Sequence, residues 1–460
     1  MLFRQVLYRD LGCASYLMGD GGEAIVVDPR WDIEPYLEIA EQEHLRIAHV
    51  LDTHEHADHV SGRIRLARAT GAQAHAPVSG TGDAGVTSGA IAADDEITVG
   101  ALRVTALAAP GHRPEHLVFA VADLTRSPEP WLVLTGDSLL VGDIARPDLA
   151  VEAVEGAREL HSSLGRILEL GDHVEVWPAH IGGSLCGGAG LSGKTSSTIG
   201  FERRHNPLLG LAEPEFVHDL TATLPSRPPN IERIVSLNRM ADDATPPEPS
   251  LLDPEGISAA VAAGATVIDG REPAQFDAGH IAGALNLPVA SPGVGTRAGW
   301  ALDPLDPVVV VAADADQARR TASALEAVGF WTIEGVAVAD LVAWERAGVP
   351  LATAAAWDLD TLASGLRQGE VDLVDVREPD EWAAGHIAGS YHFPLSRLRD
   401  LDSLPLGRDS RTTAVSCAAG ARAAFAASLL RRAGHRDVVR VANGGVPDLG
   451  AYGLTLVGGE

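Results

Sequence analysis

Short apolar runs, each closed by Gly, Pro, Asp or Asn, fill the first half of the chain. "GGEAIVVDP", "RIAHVLDT", "LRVTALAAPG", "HLVFAVAD", "WLVLTGD" and "HVEVWPAH" have the length and punctuation of short strands. Between them lie stretches with helical spacing, "SGRIRLARATG" and "VEGARELHSSLGRILEL". The opening "MLFRQVLYRDLGC" enters strand-like alternation at once and lacks the basic-then-apolar layout of a signal peptide. The Gly/Ser-rich segment 180–200, "HIGGSLCGGAGLSGKTSSTIG", carries no core periodicity, and so long a loop in a compact domain is expected to be functional or mobile.

The second half repeats itself. "VIDGREPAQFDAGHIAGALNLP" (267–288) and "LVDVREPDEWAAGHIAGSYHFP" (373–394) agree at 11 of 22 positions, 106 residues apart. A period of that length signals duplicated domains, since solenoid units are much shorter. Each copy continues with a second apolar strand, "DPVVVVAA" or "TTAVSC", and then an Ala-rich, Arg-bearing helix. Strand–helix alternation of this kind predicts parallel sheets covered by helices. The acidic, Pro-bearing stretch "NRMADDATPPEPSLLDP" reads as a linker. The expected organisation is therefore α/β and multi-domain: a β-rich domain over 1–240, a linker over 241–254, and repeats over 255–353 and 358–460.

Composition narrows the partners. The chain has 460 residues and a formal net charge of −28, from 63 acidic against 35 basic residues. That balance repels nucleic acid and anionic membrane surfaces and favours small-molecule partners. No apolar run approaches the ~20 residues needed to span a bilayer. Three cysteines, Cys13, Cys186 and Cys417, are too few for a disulfide framework. Reduced thiols and a cytoplasmic location are the expectation.

Chemistry concentrates at predicted strand ends. "THEHADH" supplies His54, His56, Asp58 and His59; His112 follows in "APGHRPEH", Asp137 in "LTGDSLL" and His180 in "WPAHIGG". Imidazole and carboxylate together suit zinc or iron. Two arrangements stay open. Two zinc ions would use all seven residues, and one Fe(II) per chain would use two histidines and a carboxylate. His75, His161, His173 and His205 stand apart from this set and read as surface or packing residues.

Together "THEHADH", "GH" at 111–112, "GD" at 136–137 and "PAH" at 178–180 resemble the metallo-β-lactamase fold, an αββα sandwich with metal at its edge. Its dinuclear hydrolases of the glyoxalase II type would place one zinc on His54, His56 and His112 and another on Asp58, His59 and His180, with Asp137 bridging. "FRQVLYRDLGCASYLMGD", "GDSLLVGDIARPDL" and "FERRHNPLL" resemble the persulfide dioxygenases, the iron-dependent branch that oxidises glutathione persulfide with O₂ to sulfite and glutathione. That resemblance implies His54, His112 and Asp137 as iron ligands and Arg146 as a contact for the glutathione carboxylate. His56, Asp58, His59 and His180 would then orient the ligands and accept protons. Arg113 and Glu115 depart from the commoner Thr and Gly of that branch.

The repeats resemble rhodanese domains, sulfurtransferases that carry sulfur on a cysteine. Both copies hold "D-x-R-E-P-x-x-[FW]-x-x-G-H-I-x-G", and the second also has "SCAAGARAA". The resemblance implies Cys417 as the sulfur carrier and Arg422 as its anion-binding partner, linking persulfide, sulfite and thiosulfate. The first copy has "VAADADQARR" there, with Val311 or Ala312 near the cysteine's place, and is expected to be degenerate. His280 and His386 occur in both copies, which argues for a role in folding. Cys13 reads as core, and Cys186 falls in the segment near the metal. "GGAGLSGKT" has the spacing of a phosphate loop, but no strand ends just before it, so ATP binding is not expected; Lys194 is better read as binding a substrate's acidic group. Assembly as a homodimer or homotetramer stays open.

Overall fold

In the computed structural model the apolar alternation of residues 2–20 becomes a hairpin, β1 (Leu2–Tyr8) antiparallel to β2 (Cys13–Asp20). All residues are described except 79–88, 183, 185, 189, 223, 225, 241–244, 407–410 and 460. Two units are recognised: Met1–Arg227 with Ile231–Thr245, and Pro228–Asn230 with Pro246–Glu460.

The first unit contains two six-stranded sheets. One runs β1-β2-β3-β4-β5-β6, adding β3 (Glu23–Val27), β4 (Arg46–Leu51), β5 (Gln73–Pro77) and β6 (Ala90–Ile91). The other runs β12-β11-β10-β9-β8-β7, from β7 (Glu96–Val99), β8 (Leu102–Ala108), β9 (Leu117–Asp123), β10 (Leu132–Gly136), β11 (Glu175–Pro178) and β12 (Ser197–Thr198). Their facing sides share one core, with Ile25, Val27 and Leu51 of the first sheet against Val104, Phe119 and Leu134 of the second. Helices cover both outer faces. On one side α1 (Glu34–Gln42) and α2 (Arg63–Thr70) bury Tyr36 and Leu66 against Val26 and Ile47. On the other, α3 (Ala153–Leu168) places Ala157, Leu160, Leu164 and Ile167 on one stripe, as its three-and-four spacing predicts. Ile199 of α4 (Ile199–His205) and Phe216 and Val217 of α5 (Glu213–Ala222) join the same core, and α6 (Ile231–Arg239) follows in the chain. The result is the four-layer αββα sandwich expected from sequence.

The second unit contains two parallel sheets. The first copy gives β13 (Thr266–Asp269), β14 (His280–Ile281), β15 (Leu285–Asn286), β16 (Val308–Ala312) and β17 (Ile333–Val338), with sheet order β15-β13-β16-β17. Its helices are α7 (Pro254–Ala262), α8 (Pro273–Ala278), α9 (Val294–Ala301), α10 (Ala315–Glu326) and α11 (Leu341–Arg346). After β18 (Leu351–Ala352), which pairs with β14, the second copy gives β19 (Ala355–Trp357), β20 (Val371–Asp375), β21 (His386–Ile387), β22 (Tyr391–His392), β23 (Thr412–Ser416), β24 (Val438–Val441) and β25 (Leu456–Val457). The sheet order is β19-β24-β23-β20-β22, with helices α12 (Leu359–Gln368), α13 (Pro379–Ala384) and α14 (Ala421–Arg432).

Within each copy the repeated D-x-R motif forms the same buried ion pair. Arg271 Nη2 lies 2.6 Å from Asp269 Oδ2, and Arg377 Nη2 lies 2.6 Å from Asp375 Oδ2. The histidines of the two "GHI" turns stack on the preceding aromatic, His280 on Phe276 and His386 on Trp382, each at 3.7 Å between ring centres. The two copies also meet. The Asn286 amide of β15 donates to Ser428 Oγ of α14 at 3.1 Å, and Arg440 is paired with Asp277 at 2.6 Å. Helix α14 is buried without interruption from Ala423 to Leu430.

The stretch 238–254 is not linker throughout. Asn238 and Arg239 are the last residues of α6, and Leu252 N–H donates to the Val336 carbonyl at 2.8 Å beside β17. Residues 241–244 of the expected linker lie outside the described residues.

Candidate metal centre and sulfur-transfer site

Four strands of the first unit deliver the histidine-rich residues from their C-terminal ends. His54 follows β4, His112 follows β8, Asp137 follows β10 and His180 follows β11. His54, His112 and Asp137 bring one ligand atom each within 4.8 Å of one another, and all three are buried. His112 Nε2 is 3.3 Å and His54 Nε2 3.8 Å from Asp137 Oδ2. His54 Nε2, His112 Nε2 and both Asp137 carboxylate oxygens are buried without a hydrogen-bond partner among the described residues. Buried polar atoms are normally satisfied, so a converging orphan set of two imidazoles and a carboxylate fits a bound cation.

The opposite ring nitrogens are already engaged. His112 Nδ1–H donates to the Arg146 carbonyl at 2.8 Å. Thr53 Oγ1 donates to the Asp28 carboxylate, which leaves its oxygen to accept from His54 Nδ1 at 2.9 Å. Each ring is thereby fixed in the tautomer that leaves Nε2 bare toward Asp137. Burial drives the His54 and His112 pKa values down, keeping both rings neutral as ligands must be. Burial works to raise the Asp137 carboxyl, but the facing His180 and His112 outweigh it and hold it below the usual carboxylate range.

His56, His59 and His180 are also buried here and Asp58 is partly so; His56 Nδ1 and His180 Nε2 likewise lack a hydrogen-bond partner among the described residues. Asp58 Oδ1 contacts His59 Nδ1 at 3.1 Å, and its Oδ2 contacts Cys13 Sγ at 3.3 Å. His56 Nε2 lies 3.2 Å from Asp28 Oδ1. His180 Nε2 is 3.1 Å from Asp137 Oδ2, and Ser184 Oγ is 2.8 Å from His180 Nδ1. Cys13, expected as plain core, is indeed buried, but it touches this cluster. Cys186 is buried too, grouped with Asp137 and His180.

Sequence reasoning missed His116, the second histidine of "GHRPEH". It is 1% exposed, and its Nε2 accepts from the Asp137 backbone N–H at 2.9 Å. Burial presses its pKa down to about 3, so it stays a neutral acceptor that aims the Asp137 side chain. Gly136 makes room for it: at φ +49°, a Cβ there would lie 2.6 Å from His116 Nε2. The quoted motif contained the signal, a second histidine in the same short turn as His112, just before β9. Glu202 and Asn206 of "FERRHNPLL" prove to brace the loop after Asp137, through Gly142 N–H at 2.9 Å and the Asp143 carbonyl at 3.1 Å.

The two expected substrate contacts are placed differently. Arg146 is buried and grips both Asp148 oxygens, at 2.7 and 2.8 Å. Lys194 stands on the exposed loop before β12, its ammonium 6.0 Å from the Phe201 ring centre. His75, set aside as ordinary, pairs with His49 at 3.0 Å, away from the ligand groups.

In the second unit, Cys417 follows β23 and opens a loop into α14. Gly420 N–H donates to its Sγ at 3.0 Å, and the residue is buried. Gly445 lies against this loop; a Cβ there would come within 1.8 Å of the Cys417 carbonyl oxygen. Arg422, the second residue of α14, is held by both oxygens of Glu381. Glu378 stands nearby with its carboxyl pushed up to about 7, chiefly by burial. A backbone donor, a helix N-terminus and a guanidinium together suit an anionic sulfur. In the first copy, Asp269 pairs with Val311 where Asp375 pairs with Ser416, so Ala312 takes the cysteine's register. A carboxylate, Asp314, caps the helix that follows, accepting from Gln317 N–H at 2.8 Å.

Comparison with known proteins agrees with this division. The metallo-beta-lactamase superfamily model matches residues 8–180, and the rhodanese-like domain model matches residues 253–347 and 358–451. The mitochondrial persulfide dioxygenase ETHE1 of Bos taurus is 28% identical over 261 residues, 54% of this chain and 91% of that protein. The hydroxyacylglutathione hydrolase of Pseudomonas syringae pv. syringae (strain B728a) is 32% identical over 160 residues, 34% of this chain and 57% of that protein. The crystal structure of a metallo-beta-lactamase from Staphylococcus aureus subsp. aureus COL, 27% identical, covers 74% of this chain and 99% of its own, with a TM-score of 0.64.

Proposed function

Because the chain joins a metallo-beta-lactamase superfamily domain with persulfide dioxygenase homologues to two rhodanese-like domains, we propose that it is a persulfide dioxygenase with a sulfurtransferase site. The substrate is a low-molecular-weight thiol persulfide, glutathione persulfide foremost, and the oxidation product is sulfite. His54, His112 and Asp137 would hold Fe(II), which would supply the redox chemistry for oxidation of the persulfide sulfur by O₂. What supports one ion over two is Asp58: a second ion would need its carboxylate, and its two oxygens already engage His59 and Cys13.

The protein's own groups have separable tasks. Thr53 and the Arg146 carbonyl keep the two ligand rings turned, and His116 aims Asp137. Lys194 is proposed to meet an acidic group of the substrate; Arg146 does so only by exchanging Asp148 for the incoming carboxylate. At the second site, the Cys417 sulfur attacks the outer sulfur of a persulfide. The S–S bond breaks, the thiol departs, and Cys417 carries the sulfane sulfur. Sulfite then takes that sulfur as thiosulfate and returns the Cys417 thiolate, so no oxidant is consumed.

Metal analysis with oxygen uptake on glutathione persulfide tests this reading. One iron per chain and persulfide-dependent O₂ consumption are expected. The hydroxyacylglutathione hydrolase relatives and the nearness of His180 to Asp137 favour a second reading, a dinuclear zinc thioester hydrolase. Two zinc ions with thioester cleavage and no O₂ uptake would establish it instead.

A further inference from the structure

The loop that carries "THEHADH" has a hydrogen-bonding problem. Residues 52–62 connect β4 to α2 with no strand partner of their own, so each backbone group needs another recipient. Its flanks are secured by Asp52 and by Glu115 of the His112 turn. Glu55 N–H donates to Glu115 at 3.1 Å, while Ser61 Oγ and Arg63 Nε reach Asp52, both at 2.8 Å. The middle, where the histidines lie, is held from elsewhere in the chain.

We propose that the end of α6 is the clamp that sets this metal loop, with Asn238 as its positioning residue and Arg239 as its support. Asn238 lies nearly 180 residues downstream, yet one amide makes three bonds to the loop. Its Nδ2 donates to the His56 carbonyl at 2.8 Å and the His59 carbonyl at 2.9 Å, and its Oδ1 accepts from Ser61 N–H at 2.9 Å. An amide is the side chain that offers two donors and an acceptor on so short a stem; a carboxylate keeps only the acceptor. Next to it, Arg239 Nε reaches Glu55 Oε2 at 2.7 Å, and Arg113 reaches the same oxygen at 2.8 Å. Arg113 and Glu115 therefore tie the His112 turn to the His54 loop. Ile234 and Leu237 anchor α6 in the unit, so the clamp stands on a fixed helix. None of these side chains is among the candidate metal ligands.

This inference rests on the loop holding a metal through His54, whichever ion and reaction that serves. The test uses the full chain loaded with Co(II), with affinity measured by chelator competition and the cobalt absorption spectrum read in parallel. Asn238→Ala and Asn238→Asp are expected to weaken metal binding about 10- to 100-fold and to change the cobalt band shape. Arg239→Ala, at an exposed position, gives a smaller loss in the same direction. Glu232→Ala, on the exposed side of α6, is the control and leaves both readouts unchanged. Wild-type affinity and spectrum in folded Asn238→Asp protein would overturn the clamp. If the Asn238 variants do not fold, an unchanged affinity and spectrum in Arg239→Ala would overturn it equally. Wild-type protein that binds no metal at this loop would instead remove the underlying reading.

Discussion

At the scale of single residues, two acceptors divide the chemistry. Asp137→Ala removes the carboxylate among the orphaned ligand atoms; bound iron and O₂ uptake are expected to disappear while sulfur transfer from thiosulfate persists. Cys417→Ser is expected to do the reverse, measured with the same two assays. Loss of both activities in either variant would refute separate sites. A third residue sets pH dependence. The Glu378 carboxyl, raised to about 7 mainly by burial, is neutral below that value and charged above it. Ionisation places a second negative charge near Arg422, whose guanidinium Glu381 already engages. The KM for thiosulfate is therefore expected to rise as pH rises through about 7, and Glu378→Gln should flatten that rise. The same raised pKa means that Glu378 supports the fold at low pH and that this contribution fades as pH climbs through about 7. Ligand types were legible at this scale because His, Asp and Cys sit in dense motifs. Asn238 and His116 were not, since they act on backbone groups far away in sequence, and Thr53 was not, since a hydroxyl beside a histidine carries no motif of its own.

At the scale of elements, strand ends made the site readable. The apolar runs predicted β3, β4, β8, β9, β10 and β11, and each candidate ligand came just past the end of a strand or in the loop that it opens. Less visible were β5 and β7, whose composition is mixed, and α6, whose polar last residues looked like linker. Two glycines carry element-level predictions. Gly136→Ala forces a Cβ into a left-handed conformation and onto His116, costing about 1–2 kcal/mol from the backbone alone. Reduced iron content and a lower unfolding midpoint are expected together. Gly445→Ala drives a Cβ into the Cys417 carbonyl, which is backbone and cannot yield cheaply. Alkylation of Cys417 by iodoacetamide is expected to change in rate, while O₂ uptake stays as in the wild type.

Across the whole molecule, the repeat predicted two domains and the motif differences separated their roles, because Ala312 replaces a cysteine in an otherwise shared frame. What the repeat did not disclose is how the copies depend on each other. Helix α14 contacts its own strands on one side, and its Ser428 receives the Asn286 amide of the first copy. Ser428→Ala leaves that buried amide without an acceptor, a loss of about 1–3 kcal/mol; urea unfolding of the full chain measures it. Residues 354–460, which keep β19, produced alone should expose the Ala-rich side of α14 and self-associate, detectable by light scattering. A monomer with wild-type sulfur transfer would contradict this.

That shared burial of α14 has a consequence for dissecting the chain. A cut between the two copies would strip Asn286 N–H of its acceptor and bare a helix flank to water, so either half made alone should be less stable than it is in the intact protein.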